Sequence, residues 1–281
     1  LISTRSPLAQ LKVTYSYAHI NIDIHKMTDA NKGANITLYW LEQSRSQRIV
    51  WLFEELGLTY NLKTFKRTSE MLAPPELKKI HPLGKSPVIT IETEQSEKPL
   101  VLAESGNITE YLCDHFGGEK LIPKRYPEGK EGAIGGETEE WMRYRYFMHY
   151  AEGTLMPFLV FQLVMDRMKD APVPFFIKPI PRFVAYKVEE AFLSRNIFGN
   201  FDFLEERLKT APGGGPYLCG QQLTAADIMM SFPLIAASLR LPLKEKYPHL
   251  AKYVEMIQAE EGYQRAVKKV EEIDGKFQAS L

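Results

Sequence analysis

The feature that most constrains the fold is a turn that precedes a β-branched run. The turn is His81-Pro-Leu-Gly-Lys-Ser-Pro87, and the run that follows it is Val88-Ile-Thr-Ile91. Proline suits the first position of a strand, and an X–Pro bond can be cis in a tight turn. A cis turn here would leave the backbone N–H and C=O of Val88 free to pair with an extended ligand, as an added strand would. We therefore predict a strand that starts at a peptide-binding turn.

A second ligand-binding feature follows at Glu104-Ser105. This pair stands between the apolar segment Pro99-Leu-Val-Leu102 and a helical pattern that includes Ile108. Serine is a good N-cap, so we predict that Ser105 caps this helix, whose N-terminus attracts a carboxylate. The carboxylate of Glu104 could receive an amine. A ligand that carries both groups at one end has an α-amino acid head group.

Periodicity predicts an α/β unit in the first part of the chain. The strands are expected at residues 36–41, 60–65, 87–92 and 99–102, and the helices at 49–56 and 105–116. A polar, Pro-rich segment at 67–79 forms a loop in the middle. The order β-α-β-loop-β-β-α is the thioredoxin-like arrangement, in which a right-handed crossover joins the first, parallel pair of strands.

The rest of the chain is predicted to be all-α. Helical spacing of apolar residues indicates long helices over 137–170 and 184–208, with Pro-rich breaks at 170–174 and 178–181. Thr224-Ala-Ala-Asp227 is a capping box that opens a buried helix, a structural role that places Asp227 outside any active site. The fold class is α/β followed by all-α. The predicted domains are a thioredoxin-like domain at 35–118, a linker at 119–136 and an all-helical domain at 137–275.

Residues 1–34 are predicted to be a leader or disordered extension. They show no sustained periodicity, and Met27 opens a plausible translation start. Residues 1–26 could be upstream translated sequence or a targeting leader, although a clear Arg-rich amphipathic helix is missing.

Composition excludes several classes of function. The chain has 35 basic and 35 acidic residues, so its charge gives no argument for binding nucleic acid. Its two cysteines, Cys113 and Cys219, are far apart and in no metal or redox spacing, which favours a reducing compartment. The sequence contains no run of 18 apolar residues, so no transmembrane segment is predicted. No histidine has a second ligand at metal spacing, so no metal is expected.

Four short motifs in the same order and spacing resemble those of the glutathione S-transferases. Besides the 81–89 turn and Glu104-Ser105, they are Thr37-Leu-Tyr-Trp-Leu41 with Ser44-Arg-Ser-Gln-Arg48 and, near the end, Tyr217-Leu-Cys-Gly-Gln-Gln-Leu-Thr-Ala-Ala-Asp227. The resemblance covers about residues 35 to 265 and is greatest to a fungal branch. It implies a homodimer with glutathione as co-substrate. The glutathione-binding residues that it implies are His81, Lys85, Pro87, Val88, Glu104 and Ser105.

The resemblance also directs attention to a hydroxyl in the turn after the first strand. A free thiol has a pKa of about 8.5, and lowering it by about two units needs roughly 2.7 kcal/mol of preferential stabilisation of the thiolate. Ser44, four residues before Arg48, has the placement of the catalytic serine in the serine-type classes. Tyr39 falls where tyrosine-type classes carry their tyrosine, and Ser46 is a third candidate. Capping for the serines and packing under the sheet for Tyr39 are the structural alternatives.

The resemblance implies a glutathione transferase that forms the thiolate for attack on electrophilic apolar compounds or hydroperoxides, with peroxidase activity as a possible side reaction. The alternative is a non-catalytic interaction or regulatory module of the same fold. The candidates for the second-substrate pocket are Trp40, Tyr146, Tyr150 and Phe158. The expected location is the cytoplasm, or an internal membrane surface or organelle if residues 1–26 are a genuine leader.

Overall fold

The computed structural model describes residues 29–277, and the first half of this range is built on a four-stranded sheet. β1 and β2 are parallel, whereas β3 runs antiparallel to both β1 and β4. Helix α1 (Ser46–Leu56) connects the parallel strands and α2 (Ser105–His115) follows β4, which confirms the predicted order β-α-β-loop-β-β-α. The strands are β1 (Asn35–Leu41), β2 (Asn61–Phe65), β3 (Val88–Glu92) and β4 (Leu100–Ala103), in the spatial order β2-β1-β3-β4.

The two faces of the sheet pack in different hydrophobic clusters. Ile36, Leu38 and Trp40 of β1 belong to the main hydrophobic core, which includes residues of α1 and α2. Side chains alternate along a strand, so Tyr39 lies on the opposite face, where it clusters with Leu77 of a short 3₁₀ turn. The core therefore fixes the register of β1, because a shift by one residue would exchange these two sets.

The second half of the described chain is helical, as predicted. A π-turn at Ala151–Leu155 joins α3 to α4, and another at Glu189–Leu193 joins α5 to α6. None of the helices between residues 29 and 277 combines the length and the apolar character that crossing a bilayer requires. The helices are α3 (Glu139–Tyr150), α4 (Met156–Lys169), α5 (Pro179–Val188), α6 (Ser194–Lys209), α7 (Ala225–Ser238), α8 (Leu243–Lys246), α9 (Pro248–Ala259) and α10 (Glu261–Asp274).

One predicted helix break was wrong. The prolines at 178–181 were expected to interrupt the helices, but α5 starts at Pro179 and continues through Pro181. The first N–H groups of a helix have no partner within it, so a proline in the first turn loses no helical hydrogen bond. The prolines therefore start this helix instead of ending one.

Helix α7 is the central helix of the second half and is buried over Ala225–Ala237. Its start is held by Asp227, whose Oδ2 accepts hydrogen bonds from Thr224 N at 2.9 Å and Thr224 Oγ1 at 2.7 Å. The Oδ1 atom accepts from Tyr253 Oη at 2.7 Å and from Leu218 N at 3.2 Å. Both the capping box and the structural role predicted for Asp227 are therefore confirmed.

Residues 29–34 belong to the fold, although the sequence assigns them to the leader. Asn31 is bonded in both directions to the backbone of Thr59, through Nδ2 to the carbonyl at 2.7 Å and through Oδ1 from the N–H at 2.8 Å. Lys32 Nζ donates to the carbonyl of His115 at 2.6 Å. The fold thus begins before residue 35. The rest of the predicted leader, including Met27, lies outside the described residues, and the domain boundaries at 118 and 137 stay predictions.

Candidate functional site

A cavity of about 230 Å³ lies where the turn before β3, the start of α2 and the first π-turn meet. Five residues that the sequence analysis singled out line it together, although they come from two separate segments. They are His81, Lys85, Pro87, Glu104 and Ser105. The other lining residues are Arg45, Leu83, Ser86, Ala103 and Glu152.

The turn before β3 contains the expected cis bond, between Ser86 and Pro87. Gly84 has a φ of 59°, and a Cβ at this position would lie 2.6 Å from Cγ of Lys78. Both the left-handed backbone and the close approach require glycine. The turn that brings Lys85 and Ser86 to the cavity is therefore encoded locally.

The start of α2 differs in one detail from the prediction. Glu104, with φ 69° and ψ 122°, is the N-cap, and Ser105 is the first residue of the helix. The N-cap role predicted for Ser105 was therefore wrong. A non-glycine residue in this region costs of order 1–3 kcal/mol, a strain that is typical of ligand-binding positions. The hydroxyl of Ser105 accepts a hydrogen bond from Arg48 Nη1 at 3.2 Å.

Val88 is placed inside the sheet and does not line the cavity. It stands in register with Tyr39 of β1 on one side and with Ala103 of β4 on the other. Its side chain is 1% exposed and clusters with Leu77. A residue with a strand on each side has no free edge for a ligand, so this placement contradicts the pairing role predicted for Val88. Ser86, on the other side of Pro87, lines the cavity instead.

An ion cluster joins the α/β unit to the helical domain at the cavity. The Glu152 carboxylate, in the first π-turn, accepts from Arg45 Nε at 2.7 Å and also from Arg48 Nη1. The guanidinium of Arg48 is fully buried and lies 5.7 Å from the ring centroid of Phe232. Burial lowers the pKa of Arg48, and the charge of Glu152 opposes this shift. Glu152 thus compensates a buried cation that also holds Ser105.

Three serine hydroxyls form a chain behind the cavity. Ser44 Oγ lies 2.5 Å from Ser46 Oγ, which in turn lies 2.6 Å from Ser86 Oγ. At the two ends, Ser44 donates to the carbonyl of Leu41 and Ser86 donates to the carbonyl of Tyr39, both at 2.7 Å. Ser44 and Ser46 are buried beside the start of α1, whereas Ser86 lines the cavity.

Two other candidates on β1 are placed away from this cavity. The ring of Tyr39 packs on the far sheet face, 6.4 Å from the ring of Phe65 and 5.4 Å from Lys63 Nζ. This is the packing alternative that the sequence analysis allowed for Tyr39. Trp40 is 1% exposed in the main core, a position that is against a role in a second-substrate pocket.

The remaining pocket candidates lie on other surfaces of the helical domain. Tyr146 stacks on Tyr150 at 5.4 Å and lies 5.7 Å from the ring of Phe203 of α6. Tyr150 is buried and donates to Asn200 of α6, and its pKa is raised, chiefly by burial. Phe158 is half-buried, 5.8 Å from Phe192. The cavity at the junction contains none of these aromatic side chains.

Charges of both signs line the cavity, which suits a ligand with carboxylates and an amine. Arg45 and Lys85 are cationic, and Glu104 and Glu152 are anionic. Within residues 29–277, no group of three or more His, Cys, Asp or Glu side chains is placed to hold a metal ion.

Comparison with known proteins assigns the family. The N-terminal domain of the glutathione S-transferases matches residues 44–115, and the C-terminal domain of the same family matches residues 164–261. Glutathione S-transferase 1 of Saccharomyces cerevisiae is 34% identical over 243 residues, which is 86% of this chain and 98% of the yeast protein. The chain belongs to the glutathione S-transferase family.

Solved structures of glutathione transferases share the fold. One from Actinobacillus pleuropneumoniae is 31% identical, with a TM-score of 0.61 over 87% of this chain and 95% of its own. A transferase homolog from Lodderomyces elongisporus, solved with two GSH per subunit, is 20% identical, with a TM-score of 0.62 over 83% of this chain and 97% of its own.

The cavity has lining residues that sequence reasoning missed. Ser86 was read only as part of the turn, and Glu152 was not singled out at all. Ser86 had a usable signal, because it directly precedes the expected cis-proline at a ligand-binding turn. Glu152 had none, since its approach to Arg45 depends on how the two halves of the chain pack, 107 residues apart.

Proposed function

We propose that this transferase binds glutathione in the junction cavity and activates its thiol as a thiolate. One observation carries the proposal: the turn at 81–87 and the pair at 104–105, selected for their ability to hold a peptide with an amino acid head group, both contribute residues to one cavity. The glutathione held by the Lodderomyces elongisporus homolog, which shares the fold, supports the same ligand.

The charges of the cavity suggest how glutathione lies in it. The start of α2 at Ser105 receives the γ-glutamyl carboxylate, and Glu104 receives the amine. Lys85 and His81 meet the glycyl carboxylate at the other end. The backbone of Ser86, in place of Val88, pairs with the cysteinyl unit in the middle. This orientation directs the thiol toward the start of α1.

The thiolate is stabilised by a hydroxyl and by the first turn of α1. Ser44 is our candidate for the donor, in a serine-type active-site turn, because it lies beside that turn and next to Arg45, which lines the cavity. Ser46 also links it to Ser86, which lines the cavity too. No side chain caps α1 at Arg45, so the positive end of the helix favours an anion nearby. The hydroxyl of Ser44 then donates its proton to the sulfur in place of the carbonyl of Leu41, and the proton of the thiol leaves to solvent.

The test is the ultraviolet thiolate absorbance of bound glutathione, titrated with pH in the wild type, Ser44→Ala and Tyr39→Phe. Ser44→Ala should raise the pKa of the bound thiol by about 1–2 units, since a charge-assisted hydrogen bond contributes roughly 1.5–3 kcal/mol. Tyr39→Phe should leave it unchanged. If wild-type glutathione binds without a thiolate signal, the protein is a binding or regulatory module and the catalytic proposal is wrong.

The binding assignment is tested separately by calorimetry with glutathione. Glu104→Gln and Ser105→Ala should each weaken binding about tenfold, which corresponds to about 1.4 kcal/mol. Glu94→Gln, an exposed change in the loop between β3 and β4, is the control. Equal affinity of all four proteins would exclude this placement of the γ-glutamyl head.

The wider assignment follows from the activated thiol. We propose attack on electrophilic apolar compounds, with hydroperoxide reduction as a side activity, in detoxification and the response to oxidative stress. A homodimer in the cytoplasm fits the family and the reduced, buried cysteines. Turnover of an aryl halide compared with that of a hydroperoxide separates the two reactions, and sedimentation measures the assembly.

A further inference from the structure

We propose that the hydroxyls of Ser86 and Ser46 align the Ser44 hydroxyl toward the thiolate of bound glutathione, which makes both of them positioning residues. The inference rests on the proposed function, because it concerns how the same site stabilises sulfur. It assigns a role to Ser86, which lines the cavity, and to Ser46, which lies between Ser86 and Ser44.

The three serine hydroxyls cannot donate to all of their oxygen neighbours at once. Four O···O contacts involve the serines: Ser44 to the carbonyl of Leu41, Ser44 to Ser46, Ser46 to Ser86, and Ser86 to the carbonyl of Tyr39. Three hydroxyls supply only three protons. When both carbonyls are served, the proton of Ser46 fills one of the two serine–serine contacts, and the other brings two oxygens to 2.5 or 2.6 Å without a proton.

A thiolate beside Ser44 competes with the carbonyls of Leu41 and Tyr39 for these three protons and would draw them away from both carbonyls. Ser44 then donates to the sulfur, Ser46 donates to Ser44, and Ser86 turns its proton from the carbonyl of Tyr39 to Ser46. Every contact in the resulting chain holds one proton, and all three O–H dipoles point toward the anion. Hydrogen bonds in such a chain polarise one another, by about 10–30% per bond.

Burial makes the alignment effective. Ser46 is 0% exposed and Ser44 is 6% exposed, so water competes little for their hydroxyls. Two backbone N–H groups hold the chain in place, because Leu41 N donates to Ser46 Oγ at 3.3 Å and Ser46 N donates to Ser44 Oγ at 3.2 Å. Hydrogen bonds in such a low-dielectric setting are stronger than in water.

The experiment titrates the thiolate absorbance of bound glutathione in Ser86→Ala, Ser46→Ala and Ser86→Thr, beside the wild type and Ser44→Ala. Ser86→Ala should raise the pKa of the bound thiol by roughly 0.2–0.7 of a unit, the share expected for one polarising bond. Ser46→Ala should raise it further, because it disconnects both partners from Ser44. Ser86→Thr keeps a hydroxyl and should restore most of the shift. Glutathione affinity, measured well below the thiol pKa of every variant, reports any direct contact between the Ser86 side chain and the ligand, because the ligand then binds as the neutral thiol.

The outcomes separate this inference from the proposed function. If Ser44→Ala raises the thiol pKa but Ser46→Ala and Ser86→Ala do not, the alignment is overturned and the thiolate site stands. If Ser86→Ala weakens glutathione binding without moving the pKa, the hydroxyl of Ser86 contacts the ligand directly and the alignment is also overturned. If Ser44→Ala itself has no effect, the catalytic assignment fails first.

Discussion

The hydrogen-bond donors at the starts of α1 and α7 are satisfied in different ways. Both helices begin in the buried interior with hydroxyl side chains nearby, which are Ser44 and Ser46 for α1 and Thr224 for α7. At α7 one carboxylate, that of Asp227, accepts four hydrogen bonds and so satisfies every donor that faces it. At α1 no carboxylate is present among the serines, and their four contacts share three protons.

The difference shows how to distinguish a structural helix start from a chemical one. A helix start whose hydrogen-bond donors are all bound to an internal carboxylate has no donor left for a ligand. Removing that carboxylate should destabilise the fold. A start without an internal anion keeps its positive end for a ligand, and changing it should alter chemistry more than stability.

Asp227→Ala should lower the free energy of unfolding by about 4 kcal/mol, because it leaves several buried donors without an acceptor. Urea denaturation measures the loss. The matched change at the other helix start, Ser46→Ala, should cost less than about 1.5 kcal/mol. Equal losses from the two variants would remove the distinction between the two helix starts.

Glu152→Gln should lower the free energy of unfolding by about 2 kcal/mol, since Arg48 is fully buried and would lose its counter-charge. The value is below the usual cost of breaking a buried pair because the Glu152 side chain is 32% exposed. The control is Glu110→Gln, which breaks the exposed pair between Glu110 and Arg145 across α2 and α3. That change should cost less than about 1 kcal/mol. A control loss as large as that of Glu152→Gln would mean that burial of Arg48 is not the cause.

Cys113 and Cys219 should show almost no reaction with a thiol reagent in the folded protein at pH 8. Burial, followed by the charges of Asp114 and Glu110, raises the pKa of Cys113 to about 12, and burial raises that of Cys219 further. Both thiols therefore stay protonated at this pH, and only unfolding should expose them to the reagent. Ionisation of Cys113 should favour unfolding only as the pH rises above the ordinary value of 9.0. Rapid labelling of the native protein would contradict the burial of both side chains.

The sequence predicted those features that depend on residues close together in the chain. The turn at 81–87 needs its proline and glycine, the box at Thr224 needs its aspartate, and the strands follow from short apolar runs. These signals lie within a few residues of one another, so one sequence contains them. Five cavity-lining residues were found for the same reason.

The missed features depend on contacts between distant parts of the chain. Val88 looked free beside the cis-proline, but pairing with both β1 and β4 encloses it. Tyr146 and Tyr150 are aromatic residues of the kind that line apolar pockets, but their face of α3 packs against α6. Neither π-turn has a simple periodic signature, so the position of Glu152 beside Arg48 could not be predicted.

The geometry of the site depends on the number of residues in the π-turn at Ala151–Leu155. A π-turn holds more residues than an α-turn, and each residue of an α-helix advances by about 100°. Deleting one residue here would allow a regular helix from α3 into α4, and the residues of the turn would shift around the helix axis by up to about that angle. Glu152 would then leave Arg45 and Arg48, although its own side chain were retained. Exchange of the exposed Thr154 should therefore be tolerated far better than a change in the length of the turn.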